Sequence, residues 1–263
     1  MTSVQQVHRT RRLVRGAAVI ILMVGSRLCA QVPAAATPVP ATPDTFPAFE
    51  RPNGALLRAG TLHYALSLIR ATGDTTPLGT RTVSVSDAPL AGVPSWLIAE
   101  SRTGTVVETT DSVSLVRADL TPERWVATNG SSRFAASFTR DSMFGGTDTY
   151  QGRASFSIAV PLNALLSAGM AERIVEMLPL REGYRSGAYL IVVAGQTPQL
   201  VRSDIAVDSV ETLTLGRQAV ECWRVVLRTP ATEERLWVAR DGARVVRTEQ
   251  LVTGGMLRAD FQP

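Results

Sequence analysis

Apolar and polar positions alternate along most of this chain from Leu56 onwards. In TLHYALSLIR (61–70), Leu62, Tyr64, Leu66 and Leu68 fall on one side and smaller or polar residues on the other. Such alternation predicts a strand with one buried face, because successive side chains point to opposite faces of a sheet. The same pattern predicts strands in TRTVSVS (80–86), SWLIAES (95–101), GTVVETT (104–110), DSVSLVRADL (111–120), RWVAT (124–128), SRFAASFTR (132–140) and DTYQGRASFSIAV (148–160). It resumes in AYLIVVAG (188–195), QLVRSDIAVDSVETLTL (199–215), QAVECWRVVLRT (218–229), ERLWVAR (234–240), ARVVRTEQLVT (243–253) and MLRADF (256–261). β-Branched and aromatic residues fill these runs and turn-forming residues separate them, which predicts antiparallel meanders.

One segment changes period. In PLNALLSAGMAERIVEMLPL (161–180), Leu162, Leu165, Leu166, Met170, Ile174 and Met177 recur at helical spacing. Pro161 suits a first helical turn and Pro179 an end. Glu172, Arg173 and Glu176 supply a polar side. The predicted fold is therefore mainly β: a strongly curved antiparallel sheet, a half-barrel-like meander, packed on one central amphipathic α-helix whose apolar stripe meets the concave face.

RLWVARDGARVVRTE (235–249) predicts a hairpin turning at Asp241-Gly242, a dipeptide that tolerates the positive φ angles of a two-residue turn. That turn sets Val238 opposite Val245, Leu236 opposite Arg247 and Trp237 opposite Val246. Both faces then carry apolar residues near the turn, which suits a sheet covered on one side and partly covered, or lining a cavity, on the other.

The N-terminus reads differently. Residues 8–15, HRTRRLVR, are basic, residues 16–25, GAAVIILMVG, are apolar, and SRLCA then offers small residues for cleavage after Ala30. This is the pattern of a secretory signal peptide over residues 1–30. The apolar run is shorter than the roughly 20 residues a spanning helix needs, so no stable transmembrane segment is expected after cleavage. Lipidation of Cys29 is the alternative, against which Leu28 stands where a small residue is wanted. Residues 31–53, rich in Ala, Pro and Thr, read as a spacer whose Phe46 and Phe49 can dock on a single β-rich domain over residues 54–263. The expected location is the periplasm or the cell exterior.

The leader also alters the charge balance. The formal charge is +4, but five of the 27 basic residues lie in the leader, leaving 22 against 23 acidic ones. Nucleic acid loses its electrostatic footprint. Cys222 and His63 are the cysteine and histidine left after cleavage. An internal disulfide and a zinc site are therefore not expected, and Cys222 reads as a small buried hydrophobe.

The order of VPSW (93–96), DSVSLVRADLTPER (111–124), LPLREG (178–183), GRQAVECWRV (216–225) and LWVARDGARVVRTE (236–249) resembles a bacterial family of exported proteins of unknown function. That family is distantly similar to lipoprotein-localisation (LolA/LolB-like) half-barrels. The resemblance covers most of residues 55–262. It implies a curved sheet wrapped around helices that can enclose an apolar cavity. The localisation proteins carry several helices, whereas one is predicted here.

Catalytic patterns are sparse. There is no GxSxG elbow, P-loop or GxGxxG. DSMFGGTD (141–148) offers Asp141 and Asp148 to a hard cation but misses the EF-hand spacing. Paired carboxylates are the open route to a hydrolase, with Glu100, Glu108, Asp111, Glu123, Asp204, Asp208 and Glu221 as candidates. No cofactor and no metal are expected. The expected function is an exported, non-enzymatic envelope protein that binds an apolar small molecule, a lipid or a lipidated partner between sheet and helix. Tyr64, Trp96, Trp125, Phe138, Leu166, Met170, Trp223 and Trp237 are the candidate lining residues. A protein–protein module with an envelope partner is the alternative, and a hydrolase ranks below both.

Overall fold

The computed structural model describes residues 47–104, 108–161, 164–166, 169–194 and 197–263. The signal peptide, most of the spacer and Phe46 lie outside the described residues. Eight strands come first: β1 (Gly60–Ile69), β2 (Thr75–Asp87), β3 (Ser95–Gly104), β4 (Thr109–Val116), β5 (Pro122–Asn129), β6 (Ser132–Phe138), β7 (Ser142–Thr149) and β8 (Gly152–Ala159). A short β9 (Ala164–Leu166) and the helix α1 (Gly169–Glu176) follow. Six strands complete the chain: β10 (Arg185–Ala194), β11 (Thr197–Leu215), β12 (Gln218–Arg228), β13 (Glu233–Ala239), β14 (Arg244–Val252) and β15 (Gly255–Gln262).

All fifteen belong to one sheet, in the order β8 back to β1, then β15 back to β9. Two meanders thus join where β1 pairs β15, from His63 with Gln262 to Ile69 with Met256. Fourteen strands pair antiparallel; β9 alone runs parallel to its neighbour, β10. The sheet curls until β8 comes into contact with β11, but its edges do not pair, so it stays an open barrel. α1 lies in the concavity, touching β3, β9 and β14.

Alternation places the main core on the concave face. Tyr64, Leu66, Val83, Val85, Trp96, Ile98, Val113, Leu115 and Trp125 are all buried there, and α1 adds Met170, Ile174, Val175 and Met177. Each such side chain contributes about 1.5–3 kcal/mol by leaving water. Phe134 packs edge-on against Trp125 at 4.6 Å and stacks on Phe156 at 5.3 Å, which ties β5 through β8 together. The curl needs close backbone approach. A Cβ on Gly145 would sit 2.1 Å from the carbonyl oxygen of Ala135 on β6, so β7 passes β6 only because that position is glycine.

Several expectations need correction. The predicted strand 148–160 is two strands, turning at Tyr150-Gln151, and the Gly145-Gly146 pair sits inside β7 rather than in a loop. Asp141 and Asp148 therefore stand at opposite ends of a strand, and Asp148 pairs with Arg153 at 2.9 Å. The stretch 141–148, weighed for a hard cation, forms strand β7 from Ser142 onwards. Val106 and its neighbours in the predicted strand 104–110 lie outside the described residues.

The predicted helix 161–180 shrinks to α1. Residues 164–166 instead pair with Tyr189–Ile191, because a free edge of β10 offers backbone partners that outweigh a weak helical start. Leu162 lies outside the described residues. Nor is the polar side of α1 solvated: Met170 through Leu178 are all buried, Glu172, Arg173 and Glu176 included.

The β13–β14 hairpin forms, with Val238 opposite Val245. A bulge beyond that pair then sets Trp237 opposite Arg247 and Leu236 opposite Thr248, one residue from the predicted register. The positive φ angles fall on Gly242 and Ala243, not on Asp241. Of the spacer, residues 47–53 dock as expected: Phe49 packs on the core and Asn53 N–H donates to the Met177 carbonyl at 2.8 Å.

Candidate functional site

Charged residues placed on inward-facing positions make up the first distinctive region. Arg81 precedes Val83 and Val85 on the inner face of β2, Glu100 follows Trp96 and Ile98 on β3, and Glu234 precedes Leu236 and Val238 on β13. α1 lowers Glu172 onto them. Arg81, 2 % exposed, pairs with Glu100 at 2.8 Å and with Glu172 at 2.7 Å. Arg102 holds the other oxygen of Glu100 at 2.6 Å. One turn along, Arg173 pairs with Glu176 at 2.8 Å and donates to the Tyr64 hydroxyl at 3.1 Å. Tyr64 donates in turn to the Val245 carbonyl at 3.0 Å, and the Val245 N–H donates to Glu176 at 2.5 Å. The network ties α1 to β1, β2 and β14.

Environment separates these acids. Burial opposes ionisation of Glu100, but Arg81 and Arg102 outweigh it and hold the carboxyl down to about 2. Asp111, its cross-strand neighbour on β4, is pushed up to about 7 by burial, against the Trp125 Nε1–H bond of 2.6 Å that favours its charge. Burial likewise raises Glu176 to about 7. For Glu234, burial and then the Glu172 charge raise it to about 7. A cavity of about 20 Å³ lies among Arg81, Arg102, Glu172 and Glu234. It has room for about one water, not for a substrate.

The second region is larger. β11 and β12 extend past the end of β13 as a long arm; Cys222 is the last β12 residue to pair with β13, opposite Ala239. Leu213, Leu215 and Val220 of that arm pack on Cys222, Trp237, Ala239 and Val246, a small core on the face opposite the main one. Glu211 fastens the arm, accepting from Trp237 Nε1 at 2.7 Å and pairing with Arg224. Beside it opens a recess of about 850 Å³, bounded by the arm, the β13–β14 turn and the end of β15. Its apolar lining includes Leu215, Val220, Val246 and Phe261. Arg217, Arg240 and Arg244 stand on its rim among Glu221 and Asp241. Arg240 pairs with Glu221 at 2.7 Å and stacks over Trp223 at 4.5 Å; Arg244 stacks over Phe261 at 5.0 Å.

The predicted lining residues do not converge. Tyr64, Trp96, Trp125 and Met170 are buried in the main core, and Phe138 and Trp223 pack against it. Trp237 belongs to the second core, and Leu166 lies in β9, where its side chain is outside the described residues. None of the other seven lines either recess. Trp96 is stacked by Arg117 at 4.2 Å. Of the candidate acids, Glu100 and Asp111 come together, whereas Glu123 accepts from Ser95 at 2.7 Å and Asp208 pairs with Arg224 at 2.8 Å. His63 is exposed, bonded to Thr82 at 3.3 Å. Cys222 is fully buried and its thiol is pushed up to about 11 by burial. Glu172 and Glu234 were not among the candidates. Period-two counting back from Leu236 places Glu234 inside, so the signal was present in the sequence.

No protein-family model, curated protein or solved structure matches this chain. Among the described residues no helix is long and apolar enough to cross a membrane, and no group of three or more acidic, histidine or cysteine side chains is placed to hold a metal ion.

Proposed function

We propose that this is an exported, non-enzymatic envelope protein that binds an anionic amphiphile, and that the binding place is the recess beside the β11–β12 arm rather than the space between sheet and helix. The observation that carries this reading is the recess itself: about 850 Å³, an apolar floor and an arginine rim. Its volume lies within the roughly 300–1,000 Å³ of ligand pockets. Arg217 makes no ion pair among the described residues, and Arg244, which stacks on Phe261 and reaches Glu176 only through its field, stands on the same rim, so the two can meet a carboxylate or phosphate head while an acyl chain covers Val220, Val246 and Phe261. The space beneath α1 is already taken by Met170, Ile174, Val175 and Met177. The leader pattern of residues 1–30 supports export, and the resemblance to half-barrel proteins supports a carrier role.

The test uses the full chain exported by a bacterial host, titrated with a fluorescent long-chain fatty acid. Saturable binding that weakens about tenfold or more in Arg217→Ala/Arg244→Ala supports the reading, since one lost charge contact of about 1.4 kcal/mol is a factor of ten. No binding, or equal binding by the variant, refutes it. A protein-contact surface is the second reading. It rests on Phe144 and Tyr150, 46 % and 85 % exposed on the β7–β8 edge hairpin.

A further inference from the structure

Carboxyls crowd the space beneath α1. Glu100, Glu172, Glu176 and the half-buried Glu234 meet Arg81, Arg102 and Arg173, with Arg244 acting on Glu176 from β14. The pairing is uneven: Glu100 Oε2, though not hydrogen-bonded, lies 2.8 Å from Arg81 Nη2, whereas Glu172 Oε2 has no cation against it. Glu100 has two arginines, and Glu176 has Arg173 and the Val245 N–H. Glu172 has Arg81 on Oε1, but its Oε2 is buried without a hydrogen-bond partner. That carboxyl and Glu234 both line the 20 Å³ cavity, with Thr248 and Gln250 as its neutral polar neighbours. A buried carboxylate oxygen without a donor is costly, and a second carboxylate beside it raises the cost.

We propose that Glu172 and Glu234 form a proton-binding site: one proton, held between them on Glu234 and donated to Glu172 Oε2 directly or through a water in the cavity, seats α1 in the half-barrel. Rising pH removes that proton to solvent, leaves two like charges together and loosens the helix. Burial and the Glu172 charge already push Glu234 up to about 7, which puts the loss in the neutral range. The other groups facing α1 are accounted for. β1 presents Tyr64, β2 Arg81, β3 Glu100 and Arg102, β4 Asp111 and β14 Arg244, while β9 and β15 bring no charge to the cavity. The docked segment 47–53 brings Glu50, which is paired outside with Arg181 at 2.9 Å. Glu176 titrates in the same range, so the test must separate it from Glu234.

The experiment is hydrogen exchange of the α1 amides in the full chain from pH 5.5 to 8.5, corrected for intrinsic exchange. Protection of residues 170–177 should fall with rising pH, by up to about tenfold per pH unit below a midpoint near 7, as one proton is released on opening. Glu234→Gln should reduce the fall in protection by the share of one proton, leaving only the part that Glu176 carries, while Asp111→Asn should leave the dependence in place. Flat protection in the parent, or an undiminished fall in Glu234→Gln, overturns the proposal and in the second case moves the role to Glu176. Should Glu234→Gln fail to fold, side-chain carboxyl NMR of the parent decides. A Glu234 signal titrating near 7 with chemical-shift coupling to α1 supports the site, and a Glu234 signal titrating below 5 overturns it. Neither outcome depends on whether the arm-side recess binds an amphiphile.

Discussion

Arg81→Met is the sharpest perturbation of the interior. The guanidinium is 2 % exposed and bridges two carboxylates whose side chains are 5 % and 4 % exposed. Removing it does not strand them equally. Glu100 keeps Arg102 at 2.6 Å, whereas Glu172 is left buried with no cation in direct contact. One uncompensated buried charge costs about 3–5 kcal/mol. The cation–π contact of Arg81 with Tyr64, at 5.2 Å, adds about 1 kcal/mol. Against a total stability of about 5–15 kcal/mol, that loss takes much of the margin. Stripped of its counter-ion, Glu172 is a buried carboxylate that burial penalises only while it is ionised, so the loss should be larger at pH 8 than at pH 5. The double variant Arg81→Met/Glu172→Met removes both charges and should recover most of the loss, because a well-packed apolar pair replaces a buried ion pair at little cost. Urea denaturation followed by tryptophan fluorescence at pH 5 and pH 8 measures all three chains. A loss below about 1 kcal/mol in the single variant, an equal loss at both pH values, or no recovery in the double variant would refute the claim that Arg81 neutralises Glu172 inside the sheet.

Three further outcomes are expected. The parent should lose stability between pH 5 and pH 8, since Asp111, Glu176 and Glu234 are all raised to about 7 and stabilise the fold only while protonated; a denaturation midpoint constant over that range contradicts this. Below about pH 4.5 the sign reverses, because Glu100 is held down to about 2 and its contribution disappears as it is protonated. Gly145→Val should destabilise severely or abolish folding, as its Cβ would meet the Ala135 carbonyl at 2.1 Å, and circular dichroism of the variant checks it. Cys222 should resist a thiol reagent in the native protein and react at once in denaturant, given its burial and a thiol pushed up to about 11.

The strands were legible because a sheet with one buried face writes its period into the sequence. Tyr64 and Leu66, or Trp96 and Ile98, announce their face without any knowledge of partners. β7 was hidden by Gly145-Gly146, which reads as a turn until β6 is known to pass close by. α1 was overextended because Leu165 and Leu166 fit helical spacing equally well, and only the free edge of β10 decides for a strand. The charged interior was missed for a different reason. Glu172, Arg173 and Glu176 look like the wet side of an amphipathic helix, and nothing local to residues 169–176 shows that Arg81 and Tyr64 wait on the other side. The arm-side recess depends on the extra length of β11 and β12, so the tryptophans could be placed in strands but not assigned to one cavity or two cores.

The central claim is that an anionic amphiphile binds beside the β11–β12 arm and not beneath α1. Methyl NMR of the full chain, labelled at Val and Leu and titrated with a sixteen-carbon fatty acid, tests it directly. The account predicts saturable shifts at Leu215, Val220 and Val246, with Val83 and Val113 of the main core unmoved. No shift at the recess, or shifts confined to the residues around α1, would contradict it.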